Sequence, residues 1–184
     1  MAKVILLSGS PNINGNTIQV FKKMAEIIEA KGVEAEVLSL AGLNIADCMC
    51  PAKIKNEDGF DLLVAKIKDA EGLIVGGPVY WGTMRGELMV ALQRLAMASA
   101  QDNNFLAGKI GGPVAIGRRG GQTSSIQEAL MFYLYHDMIV PGSTYWNIVF
   151  GKAPGEAIKD EEGMRTVIHF AENVANLIKK VYVQ

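Results

Sequence analysis

Between residues 8 and 17 the chain reads SGSPNINGNT: two serines, three asparagines, one threonine, two glycines and a proline, without a single charge. An apolar run, KVILL, precedes it, and a helical pattern, IQVFKKMAEIIEA, follows it. A helix starting near Gly15 leaves backbone N–H groups without intrahelical acceptors, and its dipole favours an anion there. Ser10, Asn12, Asn14, Asn16 and Thr17 add neutral donors, while Gly9 and Gly15 allow close backbone approach. Hydrogen bonds to a charged group are worth about 1.5–3 kcal/mol each. Several of them hold a phosphate without a lysine. Neither G-x-x-x-x-G-K-[ST] nor G-x-G-x-x-G is present, so the two commonest phosphate loops are excluded. The alternative reading is a plain capped turn, since Ser, Asn and Gly also build ordinary caps.

Two further loops share the glycine-rich character. GGPVYWGTMRGE (76–87) sets Tyr80 and Trp81 among glycines, so a flat ring system could lie against Pro78, Val79, Tyr80, Trp81 and Gly82. Otherwise both aromatics plug a groove or an interface. Arg85 reads by default as a solvated charge. GRRGGQTSS (117–125) carries Arg118, Arg119, Gly120 and Gly121. These residues suit the polar edge of a ring or a second ligand's phosphate, or else form a flexible basic turn. Taken together, the three loops describe a site for a phosphorylated planar heterocycle, and FMN fits best.

The elements that must position these loops alternate along the chain. Apolar runs at 3–8, 34–40, 72–77, 111–117 and 138–142 read as five strands. Helical periodicity is expected over Thr17–Lys31, Asp58–Ala70, Glu87–Ala100 and Ser125–Asp137, the last with Ile126, Ala129, Leu130, Tyr133 and Leu134 inward. Asp160 caps a final helix. Such alternation predicts a parallel sheet covered by helices on both faces. Ligands then sit beyond the carboxyl ends of the strands, where all three loops fall.

Composition bounds the rest. The 184 residues fit a single domain, 1–184, with no linker or repeat. A net charge of −1 argues against a nucleic-acid surface. No apolar run reaches membrane-span length, and the N-terminal run lacks a cleavage site, so a cytoplasmic location is expected. Nine methionines with 49% hydrophobic residues suggest a subunit interface. His136 and His169 fall in helices and read as structural or solvated rather than catalytic; no side chain is expected to act as nucleophile or base.

GSPNINGNT, GGPVYWGTMRGEL and RRGGQ, with GSTYWN and DEEGMRT, resemble the NADPH-dependent FMN reductase family and its iron–sulfur-flavoprotein-like branch. The resemblance implies a flavodoxin-like α/β fold whose five parallel strands run in the order 2-1-3-4-5. It implies FMN with its phosphate on Ser10 to Thr17, its ring against Pro78 to Gly82, and its polar edge near Arg118 to Gly121. It also implies NAD(P)H as hydride donor, a quinone, flavin or other small-molecule acceptor, and homodimers or homotetramers. A flavin electron carrier or redox sensor with little turnover is the alternative. Asn12 stands where the family pattern often has Arg. The iron–sulfur branch carries four cysteines in the loop after strand two, whereas this chain has only Cys48 and Cys50 there. A usual cluster needs four thiolates, so no metal centre is expected, the alternative being a metal or cluster shared between subunits. The pair reads as two free thiols or as a Cys-x-Cys redox pair.

Overall fold

The structure, a computed structural model, describes residues 1–45 and 58–183. Cys48 and Cys50 lie outside the described residues. Lys3–Ser8 (β1), Glu34–Ser39 (β2), Gly72–Tyr80 (β3), Ile110–Gly117 (β5) and Ile148–Phe150 (β6) form a parallel sheet in the order β2-β1-β3-β5-β6. A two-residue strand, Thr83–Met84 (β4), turns back antiparallel on β3. The parallel α/β architecture is as expected, but there are six strands among the described residues, not five.

The sheet is dressed on both sides. Asn16–Ala30 (α1) and Glu161–Tyr182 (α5) cover one face; Phe60–Lys68 (α2), Gly86–Gln101 (α3) and Gln122–Tyr135 (α4) cover the other. Alternation along β1 feeds both cores. Val4 and Leu6 join Phe21, Val174 and Ile178 on one side, while Ile5 and Leu7 join Ile67, Leu88 and Leu92 on the other. Strands buried on both faces must be apolar throughout, which is why their runs were continuous.

The last strand is where sequence and structure part. MIVPG (138–142) makes a single bridge: Ile139 N–H donates to Lys109 O at 2.9 Å, and Ile139 O accepts from Gly111 N–H at 3.0 Å. Pro141 has no N–H to continue a ladder. The chain leaves the sheet and returns as β6, pairing Ala115–Gly117 further along β5. This excursion carries Tyr145 and Trp146 to the carboxyl edge. Helix α4 also departs from expectation. It begins at Gln122, and Leu134 points outward at 64% exposed, together with Met131 and Tyr135.

Buried polar groups brace the layers. Tyr133 O–H donates to Leu73 O and accepts from Val75 N–H, both at 3.1 Å, and burial pushes its phenol pKa up. Lys109 donates to the carbonyls of Lys68 and Ala70 at the end of α2, and burial pulls its ammonium pKa down. His136 is buried beside Asn104, its Nδ1 3.0 Å from Asn104 Oδ1; burial also lowers its pKa. It sits just past the end of α4.

Candidate flavin site at the carboxyl edge

Helix α1 starts at Gly15 with extended backbone and no side-chain cap. Its first-turn donors therefore stay open towards the cleft above them. Ser10 and Thr17 are buried beneath this start, at 5% and 2% exposed. Ser10 Oγ accepts from Asn12 N–H at 3.2 Å, and Asn12 Oδ1 accepts from Asn14 N–H at 2.9 Å, so two of the loop's neutral groups set its curvature.

Asn16 has a task the sequence did not disclose. Its Nδ2 donates to Ala153 O at 2.9 Å, and its Oδ1 accepts from Gly155 N–H at 2.9 Å and Ala157 N–H at 3.3 Å. Both ends of the amide thus tie down the loop after β6. Glu156 closes the same loop on itself, accepting from Lys152 N–H at 2.7 Å. The backbone donors of Lys152 and Ala153 hold its carboxyl below the usual range. The tied loop brings Lys152 to the cleft wall. No spacing signal could have found Lys152, because it lies 135 residues from the cup it faces.

The cleft, about 380 Å³, draws Ser10, Asn12, Gly15, Asn16 and Thr17 from the first loop. Pro78, Val79 and Tyr80 come from β3, and Gly117 and Arg118 from the end of β5. Asn14, Trp81 and Gly82 do not line it. Arg119, Gly120 and Gly121 line a neighbouring cleft of about 430 Å³. The structure therefore divides the RRGG loop between two spaces.

The second and third loops are locked together. Trp81 and Gly82 form a two-residue hairpin turn between β3 and β4, with φ of +54° and +89°. Such a pair is the primed turn that matches strand twist. For a bulky residue such as Trp81 it is a strained conformation, and Trp81 is fully exposed there. Ser124 Oγ donates to Gly82 O at 2.7 Å, and Gly121 (φ +90°) packs against the Gly82 backbone. Arg85 is not a free surface charge. It donates to Gly9 O at 2.9 Å and pairs with Glu87, linking the second loop to the first.

This arrangement of loops over a parallel sheet is matched by known proteins. Residues 2–153 match the family model described as NADPH-dependent FMN reductase. The chain belongs to that family. It is a flavin-dependent oxidoreductase with a flavodoxin-like fold. Among relatives, an iron-sulfur flavoprotein of Methanocaldococcus jannaschii is 34% identical, over 97% of this chain and 98% of its own. An iron-sulfur flavoprotein of Methanosarcina thermophila is 27% identical over 97% and 96%. Solved structures share the fold at lower identity. A flavone reductase superposes with a TM-score of 0.79 at 22% identity, and it covers 99% of this chain, which spans 65% of that protein. An NADH:FMN oxidoreductase in its apo form superposes at 0.69 with 19% identity, over 96% and 89%.

Among the described residues no helix is long and apolar enough to cross a membrane. No three His, Cys, Asp or Glu side chains gather as a metal site among them either.

Proposed function

We propose that this family member binds FMN in the cleft above α1 and passes hydride from NAD(P)H through it to a quinone, a free flavin or another small acceptor. The observation that carries the reading is the uncapped start of α1, which opens beside buried Ser10 and Thr17 and within reach of Lys152. Open backbone donors at a helix start, with one nearby ammonium, suit a phosphate dianion. On this reading Gly15, Asn16 and Thr17 hold the phosphate through main-chain N–H groups. Asn12 and Asn14 hold the loop's shape. Pro78, Val79 and Tyr80 face the ring, and Trp81 and Gly82 set the turn that carries them. Arg118, at the cleft wall, offers positive charge to the ring's polar edge, and Arg119, Gly120 and Gly121 reach that edge only where the ring extends past the loop towards the neighbouring cleft. Bound FMN supplies the hydride chemistry, and the protein orients and tunes it. No side chain of this chain is assigned a proton-transfer role.

On this reading one chain by itself holds no iron-sulfur centre. Two cysteines in the whole sequence cannot supply four thiolates from one chain. Chemical analysis of the purified protein should find flavin without stoichiometric iron.

The deciding experiment is steady-state oxidation of NADH and of NADPH by the FMN-loaded chain with a soluble quinone. Turnover of about 1 s⁻¹ or more is expected. Flavin binding with negligible turnover would instead make the chain a carrier or redox sensor.

We also propose a homo-oligomer formed through the outward face of α4. Met131, Leu134 and Tyr135 are 65%, 64% and 78% exposed there, and Glu128, the acid above them, is engaged by Thr83. A second copy could cover this apolar face without stranding a charge. Leu134→Glu should shift the protein to monomer in analytical ultracentrifugation while its melting temperature changes little. An unchanged sedimentation profile would exclude α4 as the interface.

A further inference from the structure

A buried amide stands behind the flavin cleft with nothing to bond. Gln122 is the first residue of α4, where a polar side chain ordinarily reaches water, yet it is only 3% exposed. Its amide nitrogen is buried and has no hydrogen-bond partner. Buried amides are almost always paired, so this donor lacks an acceptor that the chain does not itself supply. Gln122 also borders the neighbouring cleft, but its nitrogen lies against Gly117, which lines the flavin cleft. A Cβ on Gly117 would stand 2.8 Å from Gln122 Nε2 and 3.3 Å from Val79 Cβ. The amide therefore sits between the ends of β3 and β5, close to the residues assigned to the ring.

The carbonyls around it are already engaged. Gly117 O accepts from Gly151 N–H at 3.0 Å. Gly121 O accepts from Ser125 N–H at 3.1 Å and from the hydroxyls of Ser124 and Ser125 at 3.0 and 2.8 Å. Gly82 O accepts from Ser124 Oγ at 2.7 Å. Gly121, at φ +90° against the Gly82 backbone, fixes the turn from which Gln122 departs.

Chemistry narrows the missing acceptor. A phosphate is drawn to the open start of α1 and to Lys152, whereas Gln122 offers one neutral donor at the other side of the cleft. A carbonyl oxygen on the polar edge of a flat ring suits such a donor. Reduction of a flavin builds negative charge on that edge, so a donor fixed there favours the reduced form.

We infer that Gln122 is a ring-recognition residue, its amide nitrogen donating to a carbonyl oxygen on the polar edge of the isoalloxazine, and that residue 117 is glycine to leave the amide its place. This rests on the flavin reading above and adds to it a side chain that sets both ring affinity and redox potential.

The test is calorimetric titration of FMN and of its 2-thio and 4-thio analogues, in which sulfur, a weak acceptor, replaces one carbonyl oxygen. The parent chain should prefer FMN to one of the two analogues about tenfold; Gln122→Leu should lose that preference and bind FMN about tenfold more weakly. Its two-electron potential should fall, by about 30 mV for a tenfold greater loss of affinity in the reduced state than in the oxidised one. The melting temperature of the apo variant should stay equal or rise, because leucine removes an unpaired buried amide. A glutamine that served packing alone would move neither the analogue preference nor the potential. Gly117→Ala, whose Cβ displaces the amide, should weaken FMN binding and lower the potential in the same direction. Unchanged FMN affinity in Gln122→Leu, or a potential that does not fall, overturns the inference and leaves the flavin reading standing. If Gln122→Leu does not fold, equal affinity of the parent chain for FMN and both analogues overturns it alone. A parent chain that takes up no FMN overturns both.

Discussion

Gly121→Ala should lower the melting temperature by about 10 °C and weaken FMN binding by more than tenfold. The position has φ of +90°, a left-handed conformation that costs an L-residue about 1–2 kcal/mol. A Cβ there would also stand 2.6 Å from Gly82 Cα and 2.9 Å from Val79 Cγ1. Neither neighbour can swing away: Gly82 is the second residue of a hairpin turn, and Val79 is paired with Met84. The second and third loops must part. Strain and clash together cost roughly 3 kcal/mol, and 1 kcal/mol shifts the midpoint of a chain this size by about 2–4 °C. Gly120→Ala meets open space at an ordinary φ and should melt where the parent does. Differential scanning fluorimetry with calorimetric FMN titration reads both quantities. Equal melting of the two variants would mean that the loops are not locked as described.

Asn16→Ala should loosen the loop after β6 and cost about 10–100-fold in FMN affinity. Three hydrogen bonds end on this one amide, to Ala153 O, Gly155 N–H and Ala157 N–H. Each is worth about 0.5–1.5 kcal/mol net, so the loop loses roughly 2–3 kcal/mol of anchoring. Lys152 then no longer stands fixed at the cleft wall, and every 1.4 kcal/mol of lost binding is tenfold in affinity. Asn16→Asp separates the two effects. It keeps the acceptor for Gly155 and Ala157, and a carboxylate suits a helix start, so stability should largely return. The same negative charge would repel a phosphate, so FMN affinity should fall below that of the alanine variant. If Asn16→Asp instead restores FMN affinity to the parent value, the phosphate does not sit at the start of α1.

The strands and helices were legible because burial on both faces leaves a local signature. Ile5, Leu7, Leu73 and Val75 lie in unbroken apolar runs, and Ile18, Phe21, Ala25 and Ile28 recur at helical spacing. The edge of the sheet was not legible. MIVPG has strand-like residues, but an edge partner is chosen by what remains unpaired on β5, and Pro141 cannot extend the ladder. Leu134 faces outward for a related reason: helical period alone does not say how wide a face the sheet covers, and the last turn of α4 buries Tyr133 while leaving Leu134 and Tyr135 outside.

The amino-acid order by itself determined a parallel α/β sheet, three glycine-rich loops at one edge, and a helix start without charge, because each depends on neighbours within a few residues. Tertiary structure alone decided which side chains share a space. It spent the Asn16 amide on a loop 137 to 141 residues away, turned Arg85 back onto Gly9, divided Arg118 from Arg119, and brought Lys152 and Trp146 to the edge. Those pairings hang on strand order and on where the chain leaves the sheet, and neither leaves a periodicity for a sequence to display.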